Sequence, residues 1–193
     1  MSVREPGVAA PDLDPDVYHA LLANAADYMV DRFGADIVLV PMERSVLDMQ
    51  HSHGVIAKML RAQRATVLKG EYTSGQVLSL IGHFDFVLGM RLHFLVFAAL
   101  QNVPFVALPY AGKVSGFLED LKVPTPPLQL VNPGRLIAHL DQSWDGRRGM
   151  KTQLAKTVPA LQARSQETHK RLLQLLARKK EDKALRGAIV KAA

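Results

Sequence analysis

Apolar residues recur along the chain in two alternating rhythms. From Asp16 to Phe33 they fall at Val17, Leu21, Leu22, Ala25, Met29 and Phe33. This three- and four-residue spacing puts them on one helical face, and Gly34 follows where a C-terminal cap belongs. Ile37–Pro41 is then a continuous apolar run of strand length, the pattern of a parallel strand covered on both faces. The unit repeats. Ser52 to Arg61 reads as helix, Ala65–Leu68 as strand, the segment from Thr73 through Ile81 as a capped helix, and Phe84–Leu88 as strand. Gly89 opens a helix through Leu100, Pro104–Leu108 is the next strand, Ser115–Leu121 a short helix and Leu128–Val131 a further strand. Together with an extended Ser2–Arg4, stopped by Pro6, this makes six strands separated by helices. The pattern predicts an α/β fold, a doubly wound parallel Rossmann-like sheet with right-handed crossovers and strand order 3-2-1-4-5-6.

From Pro133 onward the pattern is helical, so the chain divides into an α/β domain over 1–132 and a helical, basic C-terminal appendage over 133–193. Pro159 is expected to divide the last helix. Leu161, Leu172, Leu173 and Leu176 are expected to pack back on the domain, with Arg178, Lys179, Lys180 and Lys183 in solvent.

The net charge of +6 changes meaning once it is divided along the chain: residues 1–146 carry −4 and residues 147–193 carry +10. The basic residues avoid the α/β part and lack interleaved aromatics, so nucleic acid is not an expected partner. A tail of this kind suits peripheral contact with anionic lipid. The absence of cysteine excludes disulfides, a thiolate nucleophile and Cys-ligated metal. No apolar run approaches the roughly 20 residues of a membrane span, and the N-terminus shows no secretory pattern, so a cytoplasmic location is expected. His51 and His53 form an H-x-H pair, but no carboxylate cluster beside it completes a metal site and none is expected.

In an open parallel sheet, ligands bind beyond the carboxyl ends of the strands, where neighbouring connections run to opposite sides. For the expected order that point lies between the first and fourth strands. Arg4 ends the first and Arg91 follows the fourth in GMRLH, so two guanidinium groups from distant sequence are expected to converge on one crevice. The helix opening after Gly89 would add backbone N–H groups and a positive dipole end. His93 adds a proton-exchanging donor, Lys113 a cation after the fifth strand, and Tyr110 a pocket wall. The crevice is expected to be cationic and to suit a small ligand with both phosphate and carboxylate, either of which arginine binds bidentately.

These residues also carry a resemblance. The stretch FDFVLGMRLHFLVFAALQNVPFVALPYAGKVSGFLEDL resembles the signature of the polysaccharide pyruvyl transferases, in which an RLH motif opens a helix and a Tyr…Lys element follows the next strand. SVRE is similar to the strand-ending SVRP of that family, with Glu5 where proline is usual. The resemblance runs from Ser2 to about Leu121. It implies a two-domain GT-B-type fold, of which this chain would be the C-terminal, donor-binding half. The implied activity is transfer of an enolpyruvyl group from phosphoenolpyruvate to a sugar, forming a pyruvate ketal, in exopolysaccharide or cell-wall synthesis. By matching positions, Arg4, Arg91, Leu92 and His93 would bind phosphoenolpyruvate, with Arg91, His93 and Lys113 in catalysis. The donor is a substrate and no cofactor is implied; the acceptor would be a sugar or lipid-linked saccharide. Family members carry an N-terminal domain that contributes acceptor contacts, as a separate domain or oligomer partner could here. This chain begins almost at the strand that opens the second domain, so it is expected to bind the donor while transferring poorly alone.

Two rival readings belong to other classes. A GT-B-type glycosyltransferase or epimerase domain would bind a nucleotide-sugar and want a carboxylate for the ribose hydroxyls, for which the sequence offers Glu71 and Glu119. A non-catalytic remnant would retain ligand binding without turnover.

Overall fold

The computed structural model describes residues 1–5, 14–43, 46–108, 111–123 and 132–192, with side chains through 179. It is a mixed α/β molecule with helices and short parallel strands. The helices are α1 (Pro15–Phe33), α2 (Val46–Lys58), α3 (Ser74–Ile81), α4 (Leu92–Leu100), α5 (Gly112–Leu121), α6 (Pro133–Asp145) and α7 (Arg147–Ala192). The strands are β1 (Ile37–Leu39), β2 (Ala65–Val67), β3 (Val87–Gly89) and β4 (Phe105–Ala107).

Local chemistry explains the ends of α1. The Asp14 carboxylate accepts from the backbone N–H groups of Asp16 and Val17, Pro15 needs no donor partner at the first position, and Gly34 closes the helix at φ 68°. In α3, Thr73 and Gln76 form a reciprocal capping box. The second helix begins at Val46, six residues before the expected Ser52; its first turn carries Asp48, a buried carboxylate that interrupts the apolar spacing by which a helix is read.

The strands form two parallel ladders, β1 with β2 and β3 with β4, each only three residue pairs long. Six paired strands are therefore not what the described residues form, and the expected sixth strand, 128–131, lies outside them. The extended N-terminal segment makes a single parallel bridge, Ser2 to Gly89. Its backbone bonds run both ways: Ser2 N to Leu88 O at 3.0 Å, Met90 N to Ser2 O at 3.1 Å, and Val40 N to Met1 O at 2.8 Å. Pairing stops there because the Arg4 carbonyl accepts the Tyr18 hydroxyl at 2.6 Å instead of a neighbouring strand.

Helices cover the strands on both faces. Leu88, Val106 and Leu108 share one apolar cluster with Leu22 and Met29 of α1 and with Leu136 and Leu140 of α6. Val87 and Phe105 alternate with them and are equally buried, while α4 packs against β3 and β4. Gly89 permits that approach: a Cβ there would stand 2.9 Å from Cδ1 of Phe94. At the other end, Phe33 stacks on Trp144 with ring centroids 4.4 Å apart.

The chain resolves into two compact units, Met1–Ala155 and Lys156–Ala193. Pro159 lies inside α7 and does not divide it, contrary to expectation. Its missing N–H leaves the Ala155 carbonyl without its helical partner, and this is where the first unit ends. In the second unit Leu172, Leu173, Leu175 and Leu176 are 49–62% exposed, where burial was expected for the first, second and fourth of them. No helix among the described residues is long and apolar enough to cross a membrane.

Candidate functional site

The Ser2–Gly89 bridge sets the register of the site. Two residues beyond it on the neighbouring segments stand Arg4 and Arg91, so the two arginines occupy equivalent positions past the carboxyl ends of adjacent parallel segments. Although 87 residues separate them in sequence, the Ser2–Gly89 bridge sets their two segments side by side. Tyr18, wholly buried in α1, joins the two segments: its hydroxyl donates to the Arg4 carbonyl and also contacts Sδ of Met90. Burial pushes this phenol far above its ordinary value, so it stays protonated.

Arg91 is held more closely than its position in the sequence suggested. Its Nε donates to Oδ2 of Asp48 at 3.0 Å, and its Nη2 donates to Asp48 Oδ1 and Glu43 Oε2. Asp48 is fully buried and also accepts the backbone N–H groups of Met42 (3.1 Å) and Glu43 (3.2 Å). Desolvation opposes the charge on Arg91, but the hydrogen bond and field of Asp48, followed by those of Glu43, outweigh it and raise its pKa. The surroundings of Arg91 are thus not the simply cationic ones expected. The turn after β1 supplies Glu43 and the first turn of α2 supplies Asp48 to the arginine, because a buried guanidinium without a counter-charge would cost several kcal/mol. Arg4, 20% exposed at its side chain, pairs with Glu5 at 3.5 Å.

The other candidates that the structure describes stand at the starts of α4 and α5. Arg91 is the N-cap residue of α4, Leu92 is half-buried, and His93 stands exposed in the first turn. His93 lines a cavity of about 530 Å³ together with Glu43, Met49, Leu68, Glu71 and Tyr72. Lys113 lies in the first turn of α5, exposed, one strand further along the sheet than Arg91. Tyr110 lies outside the described residues.

Sequence reading missed Asp48, Glu43, Tyr18 and the contact of His51 with His19, whose Nδ1 and Nε2 respectively lie 2.8 Å apart. One signal was available: Asp48 follows an apolar strand and a short turn, where a first-turn carboxylate can face the carboxyl ends of the strands. His53, the other half of the H-x-H pair, is exposed. Among the described residues no three His, Asp or Glu side chains group to hold a metal ion.

No curated protein and no solved structure matches the chain. The family model for polysaccharide pyruvyl transferase matches residues 6–112, a span that contains Arg91, Leu92, His93 and Tyr110 and stops just short of Lys113. That span is more than half of the chain, and the protein belongs to the polysaccharide pyruvyl transferase family.

Proposed function

We propose that the crevice marked by Arg4, Arg91 and His93 binds phosphoenolpyruvate, and that the chain serves transfer of its enolpyruvyl group to a sugar, giving a pyruvate ketal. The observation that carries this reading is the equivalent register of Arg4 and Arg91 beside the first turn of α4. Two guanidinium groups can divide a phosphate and a carboxylate between them, and the N–H groups opening α4 add donors for the same anion. Family membership supports the class of reaction.

In the reaction, a proton is added to the enol methylene carbon and a sugar hydroxyl loses one as its oxygen bonds to the carbon bearing the phosphate. Phosphate departs, and a second hydroxyl of the same sugar closes the ketal on that carbon, its proton passing to the released phosphate. His93, exposed over the cavity, suits the proton transfers, and Lys113 suits the charge of the departing phosphate. Leu92 and Tyr110 would shape the apolar wall. The ordering of Arg91 by Asp48 means that its orientation is set before any anion arrives. The two ladders, joined through Met1 and Ser2, are read as parts of one Rossmann-like sheet of the GT-B type. The acceptor is read as a saccharide, reached from a cytoplasmic protein at an anionic membrane face.

The test is calorimetric titration of phosphoenolpyruvate. Arg91→Ala should weaken binding by about 2–3 kcal/mol, the scale of a lost hydrogen bond to a charged group. Affinity unchanged in that variant would remove the donor site from this crevice. One observation favours a nucleotide-sugar instead: the cavity beside His93 holds Glu43 and Glu71, carboxylates that could take ribose hydroxyls. Uridine diphosphate titrated in the same way decides between the two, since saturable binding of the nucleotide and none of phosphoenolpyruvate would select the second reading.

A further inference from the structure

Behind the arginines, two helices place their histidines against each other. Nε2 of His19, in the second turn of α1, lies 2.8 Å from Nδ1 of His51 in α2, and the ring centroids are 5.1 Å apart. At this distance one nitrogen carries hydrogen and the other accepts it. Gly54 makes the contact possible, because a Cβ there would stand 2.6 Å from Cε1 of His19. The ring of Tyr18, whose hydroxyl holds the Arg4 carbonyl, meets His51 edge-on at 6.3 Å.

The charged groups around the pair come from every element packed on it. Asp16 and Lys58 act on His19, while Glu5, Asp48, Arg4 and Arg91 act on His51. Burial, the largest effect, disfavours an added proton on both rings; His51 and Lys58 add to it at His19 and the two arginines at His51, while Asp16, Glu5 and Asp48 pull the other way, the last two ahead of the arginines.

We infer that the His19–His51 pair is the proton-accepting element of the donor crevice: an anion bearing phosphate and carboxylate that settles on Arg4 and Arg91 draws one proton onto the pair. The inference rests on the donor-site reading above. Its physical basis is linkage. An anion between the arginines cancels their opposition to a proton on His51 and adds negative charge of its own, so the protonated pair becomes cheaper to form. One added proton leaves an imidazolium donating to a neutral ring, a charge-assisted bond stronger than the original. A second would set two N–H groups against each other across 2.8 Å and break the contact, so the pair titrates as a unit with room for one.

The experiment uses the whole chain with ¹⁵N-labelled histidine, following the imidazole nitrogens against pH alone, with phosphoenolpyruvate, and with inorganic phosphate. Calorimetry in two buffers of different ionisation enthalpy counts protons taken up on binding. The midpoint of the pair should rise by about one unit on saturation with phosphoenolpyruvate, equivalent to about tenfold tighter binding on the acid side of the transition. His51→Asn and His19→Asn should each abolish the pair's share of the uptake, at most about half a proton for a one-unit shift, and His53→Asn should leave it unchanged. If either variant fails to fold, the titration of the unaltered protein still decides the matter. Phosphoenolpyruvate that binds without moving the pair overturns the inference and leaves the donor site standing. Phosphate that moves the pair while phosphoenolpyruvate fails to bind sinks the donor reading and, with it, the inference as stated for an anion carrying both groups. A pair unmoved by either anion overturns it.

Discussion

Asp48 shows how one buried carboxylate can organise a site that the sequence presents as basic. It accepts two backbone N–H groups from the turn after β1 and two donor groups of Arg91, so removing its charge disturbs both the turn and the guanidinium. Asp48→Asn is expected to cost about 2–3 kcal/mol in urea unfolding, below the loss for a fully buried pair because Arg91 keeps Glu43 and some contact with water. Glu43→Gln, at a carboxylate with a 51% exposed side chain, is expected to cost less than about 1 kcal/mol. Equal losses in the two variants would show that burial is not what makes Asp48 important. Arg91 itself was legible in sequence as a strand-end cation. Its partners were not, because 43 and 48 residues of intervening chain separate it from Asp48 and Glu43 respectively.

At the scale of elements, the contact between α1 and α2 depends on a position with no side chain. An added methyl at Gly54 must displace the His19 ring, whose Nε2 is held by His51 one turn earlier on the same helix. Gly54→Ala is therefore expected to cost about 1–3 kcal/mol, the usual range for overpacking, in spite of alanine's better helix propensity. The same variant should separate the two imidazoles, seen as loss of their hydrogen-bonded nitrogen shifts. A more stable protein with the imidazole contact intact would mean that the helices have room to part. Element existence was easy to read here, as α1, α3, α4 and the apolar strands show. Boundaries were harder: α2 starts at Val46 and α7 runs through Pro159, since helix ends answer to partners such as Asp48 that lie outside the local pattern.

For the whole molecule, three histidines are held towards the neutral form. Burial lowers His19, His51 and His139, against an opposing pull from nearby carboxylates on the first two. The unfolded chain binds protons at these sites from about pH 6.5 downward while the folded chain resists them, so stability should be full above that pH and fall as the pH drops below it. Urea midpoints at pH 7.5 and pH 5.5 check the sign, and a higher midpoint at the lower pH would contradict it. The charge division makes a second prediction. Residues 147–193 carry +10, and Leu172, Leu173, Leu175 and Leu176 lie exposed among Lys170, Arg171, Arg178 and Lys179. Co-sedimentation with anionic vesicles is expected at low salt and should disappear as salt screens the contact; no binding at low salt would remove the membrane from the proposal.

The sequence by itself determined the alternation of helix and strand, the family, and the placement of Arg4 and Arg91 at strand ends, because each follows from local periodicity or from a motif read in order. Tertiary structure decided what surrounds those arginines. Asp48 on Arg91, Tyr18 on Arg4 and His19 on His51 are contacts between elements, with sequence separations of 43, 14 and 32 residues. The direction in which a side chain leaves its element, and the partner it meets there, depends on how helices pack on strands, and no pattern along a single segment carries that information.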